Sequence, residues 1–200
     1  SPTPGSCRSS WPEKEQPVPG SWIGCGRGVC RGLQRKPRRS SRVKAVYASP
    51  LERTQETAVP IAKAVKKRVR TDAGLLECDF GGWTGKNLKE LAKLPEWKTV
   101  QRYPSGFRFP KGESFAEMQA RITGAIDRLV ARHPGETVVA VSHADPIKAA
   151  VAQALGTHLD LFQRIVISPC SVTAVLYTDA GPVVLAVNST GGDLSTLAPS

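Results

Sequence analysis

The chain has 200 residues and a formal net charge of +11, enough length for one domain with a substantial core. No apolar run is long enough for a membrane span or a signal peptide, and the five cysteines contain no Cys-x-x-Cys pair. A membrane protein, a zinc ribbon and a disulfide-stapled scaffold are thus disfavoured, and the cytoplasm is the expected compartment. The charge is unevenly placed: residues 1–42 hold nine Lys/Arg against two Glu, so this fifth of the chain contributes +7.

That first segment also differs in kind. It has six prolines, six glycines, seven serines and three of the five cysteines, but no alanine, whereas alanine occurs twenty-one times from Ala45 onward. Its aliphatic residues Val18, Ile23, Val29 and Leu33 follow neither helix nor strand period. Such a composition buries too little apolar area to offset its ordering entropy.

From residue 43 onward the pattern becomes regular. The run 43–48 reads as a short buried strand, and Ser49 and Pro50 are placed to cap and begin a helix over 50–66, with Pro60 as a kink. Arg53 falls about one turn in, at the sheet edge, where its planar fork suits a phosphate; a solvated arginine is the competing reading. Next, Leu75-Leu76-Glu77-Cys78-Asp79-Phe80-Gly81-Gly82-Trp83-Thr84-Gly85 sets a carboxylate behind two leucines. Its glycines around Trp83 suggest backbone packed closely against something. A glutamate in partly apolar surroundings has a raised pKa, which suits a general acid.

Short helices are expected over 87–94 and 95–102, followed by a Pro/Gly-containing loop over 103–112. The basic residues Lys86, Lys89, Lys98, Arg102, Arg108 and Lys111 make 85–112 suited to lie over an anionic ligand, or simply to face solvent. Ser114-Phe115-Ala116-Glu117 is a capping box. Phe115, Met118, Ile122, Ile126, Leu129 and Val130 then keep helical spacing until His133-Pro134-Gly135. Trp83 and Trp97 read as core, and His133 and His158 as structural residues at helix ends.

The strand expected over 137–141 ends at Ser142-His143, and Asp145 and Pro146 are placed to cap and open a helix over 145–155. An imidazole and a pair of backbone N–H groups thereby meet where a strand ends and a helix begins, a place that favours an anion. Strands over 171–178 and 182–187 form a hairpin across Asp179-Ala180-Gly181.

Taken in order, Ser-Pro-Leu-x-Arg-Thr, Leu-x-Glu-x-x-x-Gly-x-Trp-x-Gly and Val-Ser-His before a helix resemble the histidine phosphatase (phosphoglycerate mutase-like) superfamily. Phe162-Gln163-Arg164-Ile165-Val166 and Asn188-Ser189-Thr190-Gly191-Gly192-Asp193-Leu194 resemble an actinobacterial branch of phosphoglycerate mutase family proteins. The resemblance covers 43–200 and implies an α/β, doubly wound, three-layer sandwich that transfers phosphoryl groups through a phosphohistidine. It implies Arg53 as a phosphate clamp, Glu77 as proton donor, His143 as the second histidine and the Ala144 backbone N–H as a phosphate donor. It further implies no metal, no cofactor, a small phosphorylated substrate, and neither a nucleic-acid nor a membrane partner. Hydrolase is favoured over mutase, because nothing points to a site that retains a bisphosphate.

The same resemblance implies a first central strand ending in Arg-His-Gly, which carries the nucleophile. No histidine precedes His133, so no nucleophile is found, and the first strand is in doubt. A basic tail and a divergent domain start are two accounts of 1–42; the favoured one is a break in the coding frame near Arg42. The chain as written is then expected to fold poorly, with strand edges unpaired in the interior, and to lack turnover. The alternative is a phosphate-binding pseudoenzyme.

Overall fold

The computed structural model describes residues 43–191. Strand β1 (Ala45–Ala48) is buried at every position, because neighbours pair with both its edges and helices cover both its faces. Helix α1 (Glu52–Ala64) carries the chain to β2 (Val69–Thr71), which pairs with β1 in parallel. On the other side β3 (Val138–Val141) pairs with β1, also in parallel, giving the order β2-β1-β3. The chain therefore leaves β1 toward one neighbour and later returns to β3 on the opposite side. That reversal opens a crevice beyond the C-terminal ends of β1 and β3, the usual ligand position in such sheets.

One face of the sheet, Val46, Ala48 and Val141, packs on Ala58 and Ala62 of α1. The other, Ala45 and Tyr47, packs on the larger core built by α4 (Phe115–Arg132) and α5 (Ala144–Ala154). This is the expected three-layer arrangement. The apolar stripe of α4 is buried at Phe115, Met118, Ile122 and Leu129, and its capping box forms with both bonds in place. Between Gly85 and Gly112 lie the short helices α2 (Leu88–Leu91) and α3 (Glu96–Arg102). There Trp83, Trp97, Phe107 and Phe109 pack ring against ring, so Trp83 is core as expected.

The hairpin is β4 (Val172–Thr178) with β5 (Gly181–Ser189), antiparallel, and it forms a sheet of its own. Among the described residues β3 pairs only with β1, and β4 only with β5. The first central strand that the resemblance implies would fall outside the described residues, as do the anomalous segment 1–42 and Gly192, Asp193 and Leu194.

Three local expectations need correction. Ser49 does not cap α1: the cap position is Leu51, and Ser49 turns its hydroxyl toward His143. The turn into α1 is held instead by Thr54 Oγ1 and Gln55 Nε2, which donate to the Ser49 carbonyl. Asp145 is not the cap of α5 either; His143 is, and Asp145 sits within the first turn. Strand β2 was not anticipated, because three residues with one apolar side chain carry no readable period; pairing with β1 creates it.

Candidate active site

His143 leaves the end of β3 and is 1% exposed, inside the crevice. Two hydrogen bonds define its state. The Arg53 Nε–H donates to Nδ1 at 3.1 Å, so Nδ1 carries no proton. Nε2 therefore bears the hydrogen and donates to Ser49 Oγ at 2.9 Å. The ring is neutral, and its surroundings agree: burial first, then the charges of Arg53 and Arg121, pull its pKa down to about 3.

The Glu77 carboxylate lies 3.9 Å from the same Nδ1. Burial first, and the nearby Asp145 carboxylate second, push its pKa up to about 8, against the opposing effects of the Cys78 N–H, Arg53 and Lys148. At neutral pH the pair is a protonated acid beside a neutral imidazole, with the Arg53 guanidinium supplying positive charge. That set is matched to an anion that arrives with its own negative charge. Ala144 follows directly and is fully buried. Its N–H belongs to the first turn of α5, where no carbonyl of the helix reaches it.

Long-range contacts hold these groups in place. Arg121 on α4 donates to the carbonyls of Gly74, Leu76 and Glu77, and is itself anchored on Glu113 by paired 2.8 Å bonds. Ser142 Oγ donates to the Leu75 carbonyl, tying the end of β3 to the segment before Glu77. After Glu77 the backbone turns through Gly81 at φ +48°, where a Cβ would stand 2.3 Å from the Pro110 carbonyl. The glycine-rich turn is packed as its sequence suggested, against the Pro110–Gly112 backbone. The distal end of the basic 85–112 segment is thereby fixed beside Glu77, and Lys111 shares a shallow depression with it. Arg108 is occupied by Glu117 and the Gly112 carbonyl, so it serves the fold.

The fold thus brings Arg53, Glu77, His143 and Ala144 together, and leaves the other histidines elsewhere. His133 bonds the Tyr47 hydroxyl at 2.9 Å and Glu136 at 3.0 Å. His158 is largely exposed and accepts from the Asp160 N–H at the start of a 3-10 turn. Ser49 and Arg121 gave no sequence signal as site residues, because their partners lie 94 and 44 positions away. The thiol of Cys78 is buried, and desolvation holds it well above its ordinary range.

Comparison with known proteins shows what the chain resembles. The family model of the histidine phosphatase superfamily (branch 1) matches residues 26–190. The bifunctional protein Rv2228c of Mycobacterium tuberculosis is 35% identical over 151 residues, which are 74% of this chain but 42% of that protein. The chain thus spans less than half the length of this relative. Phosphoserine phosphatase 1 of Hydrogenobacter thermophilus is 33% identical over 147 residues, covering 72% of this chain and 70% of that one. Among solved structures, a phosphoserine phosphatase variant from Entamoeba histolytica in complex with phosphoserine superposes with a TM-score of 0.67. It is 27% identical, and the match covers 73% of this chain and 74% of the other.

Proposed function

The chain belongs to the histidine phosphatase superfamily, and we propose that its crevice binds the phosphoryl group of a small phosphomonoester in a phosphatase-type site. The observation that carries this reading is the convergence on one imidazole nitrogen: Arg53 Nε at 3.1 Å and Glu77 Oε2 at 3.9 Å from His143 Nδ1. In this reading Arg53 grips phosphate oxygens through its planar fork, and the Ala144 N–H adds a donor from the helix end. Glu77, protonated at neutral pH, donates a hydrogen bond to an oxygen of the bound phosphoester. His143 gives up its bond from Arg53 when the anion arrives. A dianion beside it outweighs the desolvation that keeps it neutral, so it takes a proton and becomes a second cation beside the bound phosphate.

Covalent turnover needs a histidine to attack phosphorus. The 200 residues contain His133, His143 and His158 alone, and only His143 is at the site. Our reading of these residues is therefore a phosphate site with its acid and clamp assembled but without a nucleophile. That favours phosphate binding without turnover, in a compartment we take to be the cytoplasm. Among the described residues no helix is long and apolar enough to cross a membrane.

A hydrolysis assay with p-nitrophenyl phosphate tests the reading. The expected rate is indistinguishable from that of the His143→Ala variant. Turnover at a rate typical of phosphatases, lost in His143→Ala, would overturn it.

A further inference from the structure

A second cationic surface lies at the opposite end of the sheet from the crevice. Lys44, Lys66, Lys67, Arg68 and Arg70 line a depression of about 480 Å³, and among the described residues that line it none is acidic. Lys44 leads into β1, Arg68 leads into β2 and Arg70 lies within it, so the hollow opens at the N-terminal ends of both strands. Ser49, beside His143, is separated from Lys44 by the length of β1. That is about 16 Å of extended chain.

Local structure accounts for only part of this clustering. Cations just past α1 complement the negative end of the helix, which explains Lys66 and Lys67. Lys44, Arg68 and Arg70 lie in or beside strands, which carry almost no net dipole. Gathering like charges around one hollow works against the fold through their repulsion. Several of these cations are nonetheless anchored. Arg70 Nη1 donates to the Tyr47 hydroxyl at 3.2 Å, with its guanidinium 5.7 Å from the centre of that ring. Tyr47 is buried; its hydroxyl bonds His133, and His133 bonds Glu136. Glu136 also takes Lys44 Nζ at 2.7 Å, so one relay holds cations from two strands. On the third side the Lys66 N–H donates to the Lys63 carbonyl and the Lys67 N–H to that of Ala62, a Schellman turn. Lys66 has φ +57° there, at the position glycine usually takes, so a cation stands where the backbone favours no side chain.

We propose that this hollow is a second binding site, for a small anion bearing a chain of phosphates. A single phosphate carries about two negative charges and would leave much of the positive charge unmatched; a chain of phosphates matches it. The guanidinium forks of Arg68 and Arg70 offer paired donors to successive phosphate oxygens, and the three ammonium groups close the remaining sides. The volume is that of a small-molecule site rather than of a surface that tracks an extended strand. The site does not depend on the crevice. The two are separated by more than the screening length of about 10 Å at moderate salt.

The test is a titration of the full chain with inorganic tripolyphosphate at about 0.1 M salt, followed by nitrogen-15 NMR of arginine side chains. The Nε signals of Arg68 and Arg70, assigned by Arg68→Gln and Arg70→Gln, should shift and saturate together. Joint replacement Lys67→Glu and Arg68→Glu should weaken binding read at Arg70 by at least about tenfold, whereas Arg53→Ala should leave it unchanged. Both substituted side chains are exposed, and near-ultraviolet circular dichroism checks that the fold persists. Inorganic phosphate, at concentrations that saturate the crevice, should leave Arg68 and Arg70 unmoved. Silence at Arg68 and Arg70 in the parent chain overturns the proposal without needing any variant, and leaves the crevice reading intact. Binding lost in Arg53→Ala would place tripolyphosphate in the crevice and overturn it as well. Equal response to inorganic phosphate would remove the claim to a chain of phosphates. A single-stranded oligonucleotide of about ten nucleotides is the second probe. Shifts at Arg68 and Arg70 with the oligonucleotide and none with tripolyphosphate would assign the surface to nucleic acid and overturn the proposal.

Discussion

Replacing Glu77 by Gln should leave the stability of the fold unchanged near pH 4 and raise it above pH 7. The folded chain holds the Glu77 proton up to about pH 8, whereas an unfolded chain releases it near 4.5. Stability tied to this group is complete below 4.5 and is lost as pH climbs through 8. At about 1.36 kcal/mol per unit the loss approaches about 5 kcal/mol. Hydration through the 14% of the side chain that remains exposed reduces this to about 2–4 kcal/mol. His143 has the opposite slope. The folded chain refuses its proton down to about pH 3, whereas an unfolded chain takes it near 6.5, so stability falls as pH drops through that window. Between 4.5 and 6.5 the two slopes cancel, giving a plateau with a shoulder on either side. Urea unfolding at half-unit steps from about pH 4 to 9, with constant m-values, measures the profile. Glu77→Gln should flatten the alkaline shoulder and leave the acid one. A variant curve running parallel to the parent between pH 6.5 and 8.5 would refute the buried, protonated Glu77.

Other perturbations separate the scaffold from the site. Arg121→Met leaves the Gly74, Leu76 and Glu77 carbonyls and the Glu113 carboxylate without their donor. It should cost about 3 kcal/mol in chemical denaturation. Gly81→Ala forces a Cβ into the Pro110 carbonyl at a positive φ, so the same measurement should show a loss of about 2 kcal/mol or more. Tyr47→Phe strips the hydroxyl that partners His133 and Arg70; it should destabilise by about 1–2 kcal/mol yet leave phosphate affinity unchanged, as befits a histidine outside the site. Phosphate binding near pH 7 should take up a proton as His143 becomes charged. Calorimetry in two buffers of different ionisation enthalpy should therefore give different apparent heats.

Much of the site was legible because its parts are local. A strand stopping on His143 before a helix, Arg53 just past another strand, and Glu77 behind two leucines each follow from a few neighbouring residues. The capping box of α4 and the turns at Gly81 and Gly181 were readable for the same reason. What was not legible depends on partners far apart in the chain. Ser49 looked like a cap because the sequence places a hydroxyl before a helix, whereas the fold sets His143 against it. Asp145 looked like a cap for the same reason, whereas the fold pairs it with Lys148, which Gln163 holds from fifteen residues further on. Arg121 resembles any arginine on an amphipathic helix until the 74–77 segment folds over it. Strand β2 exists through its pairing with β1, which no three-residue pattern announces.

The most direct measurement is a titration of the full chain with inorganic phosphate, followed by nitrogen-15 NMR of arginine side chains, histidine rings and backbone amides. The account predicts saturable shifts at Arg53 Nε, the His143 ring and the Ala144 amide, at least about tenfold weaker binding in Arg53→Ala, and no response at His133 or His158. Shifts spread over surface lysines and abolished by moderate salt, with Arg53 and His143 silent, would contradict it.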